Sequence, residues 1–314
     1  MKLLIVDDNE TNLKIFSMIL SLSGYEIKTA TSAEELDLKI NSDVDLILLS
    51  NKFEKDCENL TSKKVVIMTS NPSVDEVVRF YSTGIKDYII LPASADTIRE
   101  KVLNALKQDK SLEDLLQSFK HVQLKDNGSY KHLERMKEYA RVLTTELKNS
   151  CKNLKIDEDF IKNIELASVL HDIGKSKITD KILKKPDKLT DDEYKDVKNH
   201  SMLGYKMLEK IKNTPFIKMA KDVVLSHHER YDGTGYPEQK AGEDIPLSAR
   251  IVAICDVYDA LRETRVYKEN FSHEKSVEII KGASKKQFDP KIIEAFEKVQ
   301  NKFDEIFNKL HLKK

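Results

Sequence analysis

The period of the apolar positions changes near residue 130. Before it, short continuous apolar runs alternate with stretches of helical spacing. Residues 2–6 (Lys-Leu-Leu-Ile-Val) run into Asp7-Asp8-Asn9, and residues 45–50 and 64–69 repeat that form. Uninterrupted runs of this length read as strands of a parallel sheet buried on both faces. Residues 25–30 and 88–91 supply two more strands. Leu13, Ile15, Phe16, Ile19 and Leu20 predict a helix over 10–22, stopped by Gly24. Ser32 caps another over 33–41, and helices are expected over 73–83 and from Ser94 or Ala95. This alternation predicts a doubly wound α/β sheet over residues 1–108, with its site beyond the carboxyl ends of the strands.

Residues 109–130 place Leu112, Leu115, Leu116, Phe119 and Val122 at helical spacing, an amphipathic connector. Its stripe would pair with a twin in a homodimer or pack on the next domain. Asp126-Asn127-Gly128-Ser129 marks a boundary. From 131 to 314 the pattern is helical throughout, predicting an all-α domain. Helices are expected over 130–147, 159–170, from Thr190 through His200, over 217–228, 247–261, 274–282 and 290–309. Thr190 with Glu193 forms a capping box at the start of the third.

Composition narrows the functional classes. Hydrophobic residues make up 40% of the chain, enough for two cores, and 53 basic residues balance 53 acidic ones. A neutral chain argues against a nucleic-acid or anionic-membrane partner. No apolar run approaches a membrane span and no signal-peptide pattern precedes the first strand. Three well-separated cysteines fit reduced thiols. A cytoplasmic location is expected.

The candidate chemistry centres on His171-Asp172. This pair ends an apolar helical run (Ile164, Leu166, Ala167, Val169, Leu170), where its desolvation would be offset by a divalent metal. Ligand-type residues recur at His200, at His227-His228 and at Asp256, with His132 upstream. His121, His273 and His311 lack such context and read as surface residues. A lone histidine on a helix is more often a satisfied core residue than a ligand, so function rests on convergence of the set. A carboxylate beside a histidine can bridge two metals, and two metals about 3.5–4 Å apart suit phosphodiester hydrolysis.

Residues 1–108 resemble a response-regulator receiver domain. Asp7-Asp8 match the acidic pair that holds Mg²⁺ in that family, Thr69 the switch hydroxyl, Tyr88 the switch aromatic, and Leu91-Pro92 its Lys-Pro. Ser50 stands at the phospho-acceptor position and Leu91 at that of the lysine. Serine cannot form an acyl phosphate and leucine cannot neutralise added charge. A degenerate receiver is therefore expected, serving dimerisation or the docking of a signalling partner. Asp7 and Asp8 would be either solvated carboxylates or a weak Mg²⁺ site.

Residues 130–300 resemble an HD-GYP domain of the HD phosphohydrolase superfamily. The matching stretches are His171-Asp172-Ile173-Gly174-Lys175, Ile182 to Pro186, His200, and His227-His228-Glu229 through Gly235-Tyr236-Pro237. Ile245 to Ile251, Asp256 to Leu261, Arg265 to Lys268 and Phe288-Asp289-Pro290 complete them. The resemblance implies hydrolysis of cyclic di-GMP. It implies one metal, typically iron or manganese, on His132, His171, Asp172 and Asp256, and a second on Asp172, His200, His227 and His228. Lys175 would stabilise the attacked phosphate or protonate the leaving 3′ oxygen. Arg265 and Lys268 match positions that bind the ligand, although a solvated helix end is the plainer reading; Tyr236 and Asp259 are expected near the substrate. Some members add a third-metal glutamate four residues before the first histidine, where this chain has Gly128. That favours two metals and linear pGpG as the product. The alternatives are a low-turnover sensor of cyclic di-GMP or a partner-docking module, and an HD phosphohydrolase for another nucleotide, which the Gly-Tyr-Pro loop disfavours.

Overall fold

The structure, a computed structural model, describes residues 1–314 other than 41–42, 54–59, 61–62, 71, 73–75, 77–84, 108–129, 212, 264–269 and 312–314. The chain divides into two compact units, Met1–Ser118 and Phe119–Lys314. The connector stripe, Gly128, His121, most of the helix expected over 73–83, and both Arg265 and Lys268 lie outside the described residues.

In the first unit, β1 (Lys2–Val6), β2 (Glu26–Ala30), β3 (Leu46–Ser50), β4 (Val65–Thr69) and β5 (Asp87–Ile90) form a parallel sheet in the order β2-β1-β3-β4-β5. Helices α1 (Glu10–Ser21), α2 (Ala33–Lys39) and α3 (Ala95–Lys107) accompany it. Strands β3 and β4 are buried at every position, as unbroken apolar runs require. Phe16 and Leu20 of α1 join Val102 and Leu106 of α3 in a core with Leu3, Ile5, Leu48 and Met68. Strand β5 starts one residue earlier than expected, because Asp87 is buried there against Lys101 Nζ at 2.9 Å.

The strand order reverses between β1 and β3, the place where such sheets gather a site. Asp7, Ser50 and Thr69 are all buried there. Asp7 accepts from the Asn9 amide at 2.9 Å and Asn12 Nδ2 at 2.8 Å. Lys52 Nζ donates to both oxygens of Asp8, at 2.9 and 2.7 Å. Both carboxylates thus have protein donors, and any Mg²⁺ would compete with Lys52 for Asp8. Since Ser50 offers no carboxylate, acetyl phosphate or beryllofluoride is expected to leave the oligomeric state unchanged. Sedimentation analysis checks this, and a change in mass with either reagent would contradict the reading of Ser50.

The second unit contains α4 (Tyr130–Ser150), α5 (Glu158–Ala167), α6 (Asp180–Leu183), α7 (Asp191–Lys198), α8 (His200–Leu208), α9 (Pro215–Ser226), α10 (Leu247–Arg262), α11 (His273–Gly282) and α12 (Pro290–His311). Short 3-10 turns cover Ser168–Leu170, Ile173–Lys177 and Gly242–Asp244. Tyr139 of α4 stacks on Phe303 of α12 with ring centroids 4.4 Å apart, and Tyr258 and Phe296 meet Phe303 edge-on. Two expectations are corrected. The helix that Thr190 caps ends at Lys198, and His200 opens the next one. Helix α9 begins at Pro215, not 217, because Thr214 caps it and proline suits a first turn. Among the described residues no helix is long and apolar enough to cross a membrane.

Candidate metal centre

The turn from α5 into the Ile173–Lys177 segment delivers His171 and Asp172 together. Gly174 makes that delivery possible. A Cβ there would overlap the His200 carbonyl oxygen and lie 2.6 Å from the Gly204 amide nitrogen. The turn therefore lies directly against the first turn of α8, which brings His200 beside Asp172. His227 caps α9 at its carboxyl end and His228 follows it. His132 lies in the first turn of α4, and Asp256 in the middle of α10.

The imidazoles are oriented by what lies behind them. Nδ1 of His171 donates to Ser168 O at 2.8 Å, and Nδ1 of His200 to Val197 O at 2.6 Å. His227 Nδ1 faces Val223 O at 3.0 Å and Val224 O at 3.2 Å. A carbonyl only accepts, so Nδ1 carries a proton in these rings and Nε2 is the nitrogen left to face a ligand. His132 Nδ1 is engaged by Asp259 Oδ2 at 2.7 Å, which presents its Nε2 in the same way.

Two sets of ligand atoms converge, each within 4.8 Å: Asp172, His200, His227 and His228, and His132, His171 and Asp256. Asp172 faces both. Its Oδ2 is 3.3 Å from His171 Nε2, while its Oδ1 is 3.3 Å from His200 Nε2 and 3.8 Å from His227 Nε2. Asp256 Oδ1 lies 3.8 Å from His171 Nε2. The buried atoms His171 Nε2 and Asp172 Oδ1 have no hydrogen-bond partner. Such orphans are costly unless a ligand satisfies them, and a carboxylate oxygen facing imidazole nitrogens suits a cation. The donor set, imidazole nitrogen and carboxylate oxygen, fits divalent transition metals.

Electrostatics supports that fit. Burial lowers the pKa of His200, His227 and His228, the last to about 4, so these rings are neutral and ready to coordinate. His171 behaves oppositely: burial works against its charge, but Asp172 and then Asp256 raise it to about 9. Asp172 is held well below the carboxylate range, burial being outweighed by Lys175 and His171. A cation held beside His171 would therefore compete with a proton for its Nε2.

Lys175 Nζ sits on Asp172 Oδ2 at 2.5 Å. The Tyr236 ring lies 4.8 Å from that of His228. Its loop is pinned by buried Glu229, which accepts from the Glu238 amide at 2.7 Å. Asp259, expected beside the substrate, is instead fully buried behind His132. It accepts from Arg135 Nε at 2.6 Å and Nη2 at 2.8 Å as well as meeting His132. It stands three residues after Asp256 on one helix, so spacing alone does not separate an aspartate facing the centre from one behind it. Arg135, which completes this chain of contacts, escapes sequence reasoning because a charged residue on a long helix reads as solvated. Its spacing of three from His132 is the available signal.

The HD domain description matches residues 129–292. A "probable cyclic di-GMP phosphodiesterase" of Vibrio cholerae is 32% identical over 98% of this chain and 79% of its own length. A cyclic di-GMP phosphodiesterase response regulator of Xanthomonas campestris is 29% identical, covering 94% of this chain and 86% of its own. A 3′3′-cGAMP-specific phosphodiesterase of Vibrio cholerae is 41% identical over 44% of this chain and 26% of its length.

Proposed function

Because this chain belongs to the HD domain family, we propose that it is a metal-dependent phosphodiesterase that opens cyclic di-GMP to linear pGpG. The observation that carries the reading is Asp172, whose two oxygens face two separate sets of ligand atoms. The similarity of nearly the whole chain to proteins named for cyclic di-GMP hydrolysis supplies the substrate.

Bound divalent ions, proposed as iron or manganese on the two sets, would act as Lewis acids and lower the pKa of water for attack on phosphorus. The protein's own contribution is orientation. Carbonyls and Asp259 fix the imidazoles, and Asp172 holds both halves of the centre in register. Lys175 stabilises charge on the attacked phosphate or supplies a proton to the leaving 3′ oxygen. Tyr236 closes the side next to His228. Arg265 and Lys268 remain proposed ligands for the substrate on the resemblance alone. A homodimer through residues 109–130 or the receiver-like unit, a docked signalling partner and a cytoplasmic location belong to the same proposal.

Product analysis with defined metals tests it. Protein loaded with Mn²⁺ or Fe²⁺ is expected to convert cyclic di-GMP to pGpG, and His171→Ala with Asp172→Ala to abolish conversion. No product above that variant's background with either metal would refute the enzymatic reading, and tight binding without turnover would favour a sensor.

A further inference from the structure

An aromatic and cationic cluster stands beside the centre and serves no metal ligand. Tyr194 and Lys198 are one turn apart on α7. Lys198 Nζ lies 5.1 Å from the centroid of the Tyr194 ring and 5.7 Å from that of Tyr236. Tyr236 in turn lies 4.8 Å from His228, so contacts run unbroken from a metal-ligand ring out to Lys198. Tyr194 is 53% exposed and is the one aromatic among the exposed large apolar side chains of the described residues. Helix α7 carries Asp191, Asp192, Glu193 and Asp196. Lys198 nevertheless pairs with no carboxylate among the described residues, and its ammonium is held over rings.

We propose that Tyr194, Lys198 and Tyr236 form a clamp that reads a guanine base of the substrate. The proposal rests on the reading above that the substrate is a cyclic dinucleotide. A base splayed from a cyclic dinucleotide is unpaired, and unpaired bases are held by stacking on aromatic side chains. Guanine offers two acceptors on one edge, O6 and N7, the pattern that a lysine ammonium satisfies by donation. Adenine puts an amino donor where guanine has O6, so the ammonium would keep N7 alone and meet a donor in place of the second acceptor. Lys198 thereby becomes a specificity-determining residue. The question is real for this family region, since one relative is named for a cyclic dinucleotide other than cyclic di-GMP.

The experiment compares wild-type protein with Lys198→Ala, Lys198→Arg and Tyr194→Ala, all metal-loaded, on cyclic di-GMP, cyclic di-AMP and bis(p-nitrophenyl) phosphate. The last carries no base. Lys198→Ala is expected to raise KM for cyclic di-GMP about tenfold and to cut the guanine-over-adenine preference in kcat/KM by a similar factor. Tyr194→Ala is expected to raise KM by about fivefold or more on both dinucleotides. Rates on the aryl diester should stay at the wild-type level, and Lys198→Arg should recover most of the preference. Unchanged KM and preference in Lys198→Ala would overturn the clamp, as would equal losses on all three substrates, which would mark a purely structural cation–π pair. Should the wild type cleave the aryl diester but no cyclic dinucleotide, the functional reading fails separately. Calorimetric titration with GMP and AMP then decides: tighter GMP binding that Lys198→Ala removes keeps the clamp, and equal or absent binding overturns it.

Discussion

Replacing Gly174 by alanine is expected to separate His200 from Asp172 and to leave the metal centre half empty. The added Cβ would lie 1.9 Å from the His200 carbonyl oxygen and 2.6 Å from the Gly204 amide nitrogen. Both obstacles are backbone, so no side chain can swing aside, and the turn must lift from α8. Overpacking of this kind costs roughly 1–3 kcal/mol, more where nothing yields. His200 Nε2 stands only 3.3 Å from Asp172 Oδ1, and any lifting of the turn opens that gap directly. Metal content should fall by about half, with activity lost. The matched control is Gly282→Ala, where a Cβ meets nothing within 4 Å and stability should move by less than about 0.5 kcal/mol. Denaturation midpoints and metal analysis on both variants check the pair. A fully loaded Gly174→Ala protein of wild-type stability would show that the glycine contact does not place His200.

The second large effect is expected at Arg135. Its guanidinium is fully buried, gripping Asp259 with two nitrogens, touching Glu263 with one of them, and lying 5.1 Å from the centroid of the Phe307 ring. Burial opposes charge on both partners, and each keeps the other ionised. Arg135→Ala leaves Asp259 as a buried carboxylate with its cationic partner removed and His132 still on Oδ2. Breaking one side of a buried pair typically costs about 3–5 kcal/mol. Because Asp259 also orients the His132 ring, metal affinity at the His132, His171 and Asp256 set should drop about 10–100-fold. Lys14→Ala, at the exposed pair with Glu10, should cost no more than about 0.5 kcal/mol. Equal stability of the Arg135 and Lys14 variants would contradict the assignment.

Much of this architecture is readable along the chain, and the unreadable parts have a common cause. Strands β1, β3 and β4 announce themselves because each is buried on both faces and so is apolar without interruption. The capping box at Thr190 is local chemistry and needs nothing from the rest of the fold. The ligand residues are recognisable as types. Their convergence depends on the crossing of Gly174 with Gly204, two glycines thirty residues apart whose pairing no local pattern records. The break between α7 and α8 is invisible for the same reason. Asp259 is expected near the substrate and Arg135 draws no notice, because no local pattern shows that two opposite charges from distant helices bury one another. Lys198 and Tyr194 look like an ordinary helix surface until the loop carrying Tyr236 is brought against them.

The carbonyls behind the imidazoles have one more consequence. The rings of His171, His200 and His227 are already confined by their backbone acceptors. The rotamer entropy usually lost when a ligand is captured, about 0.5–1.5 kcal/mol for each side chain, has here been lost during folding. Crowding of imidazoles and carboxylates in a buried space costs stability, and an ion that binds only the native state offsets that cost by mass action. Folding and metal capture are thus thermodynamically linked, and the ion that would activate the centre would also help hold the helices around it together.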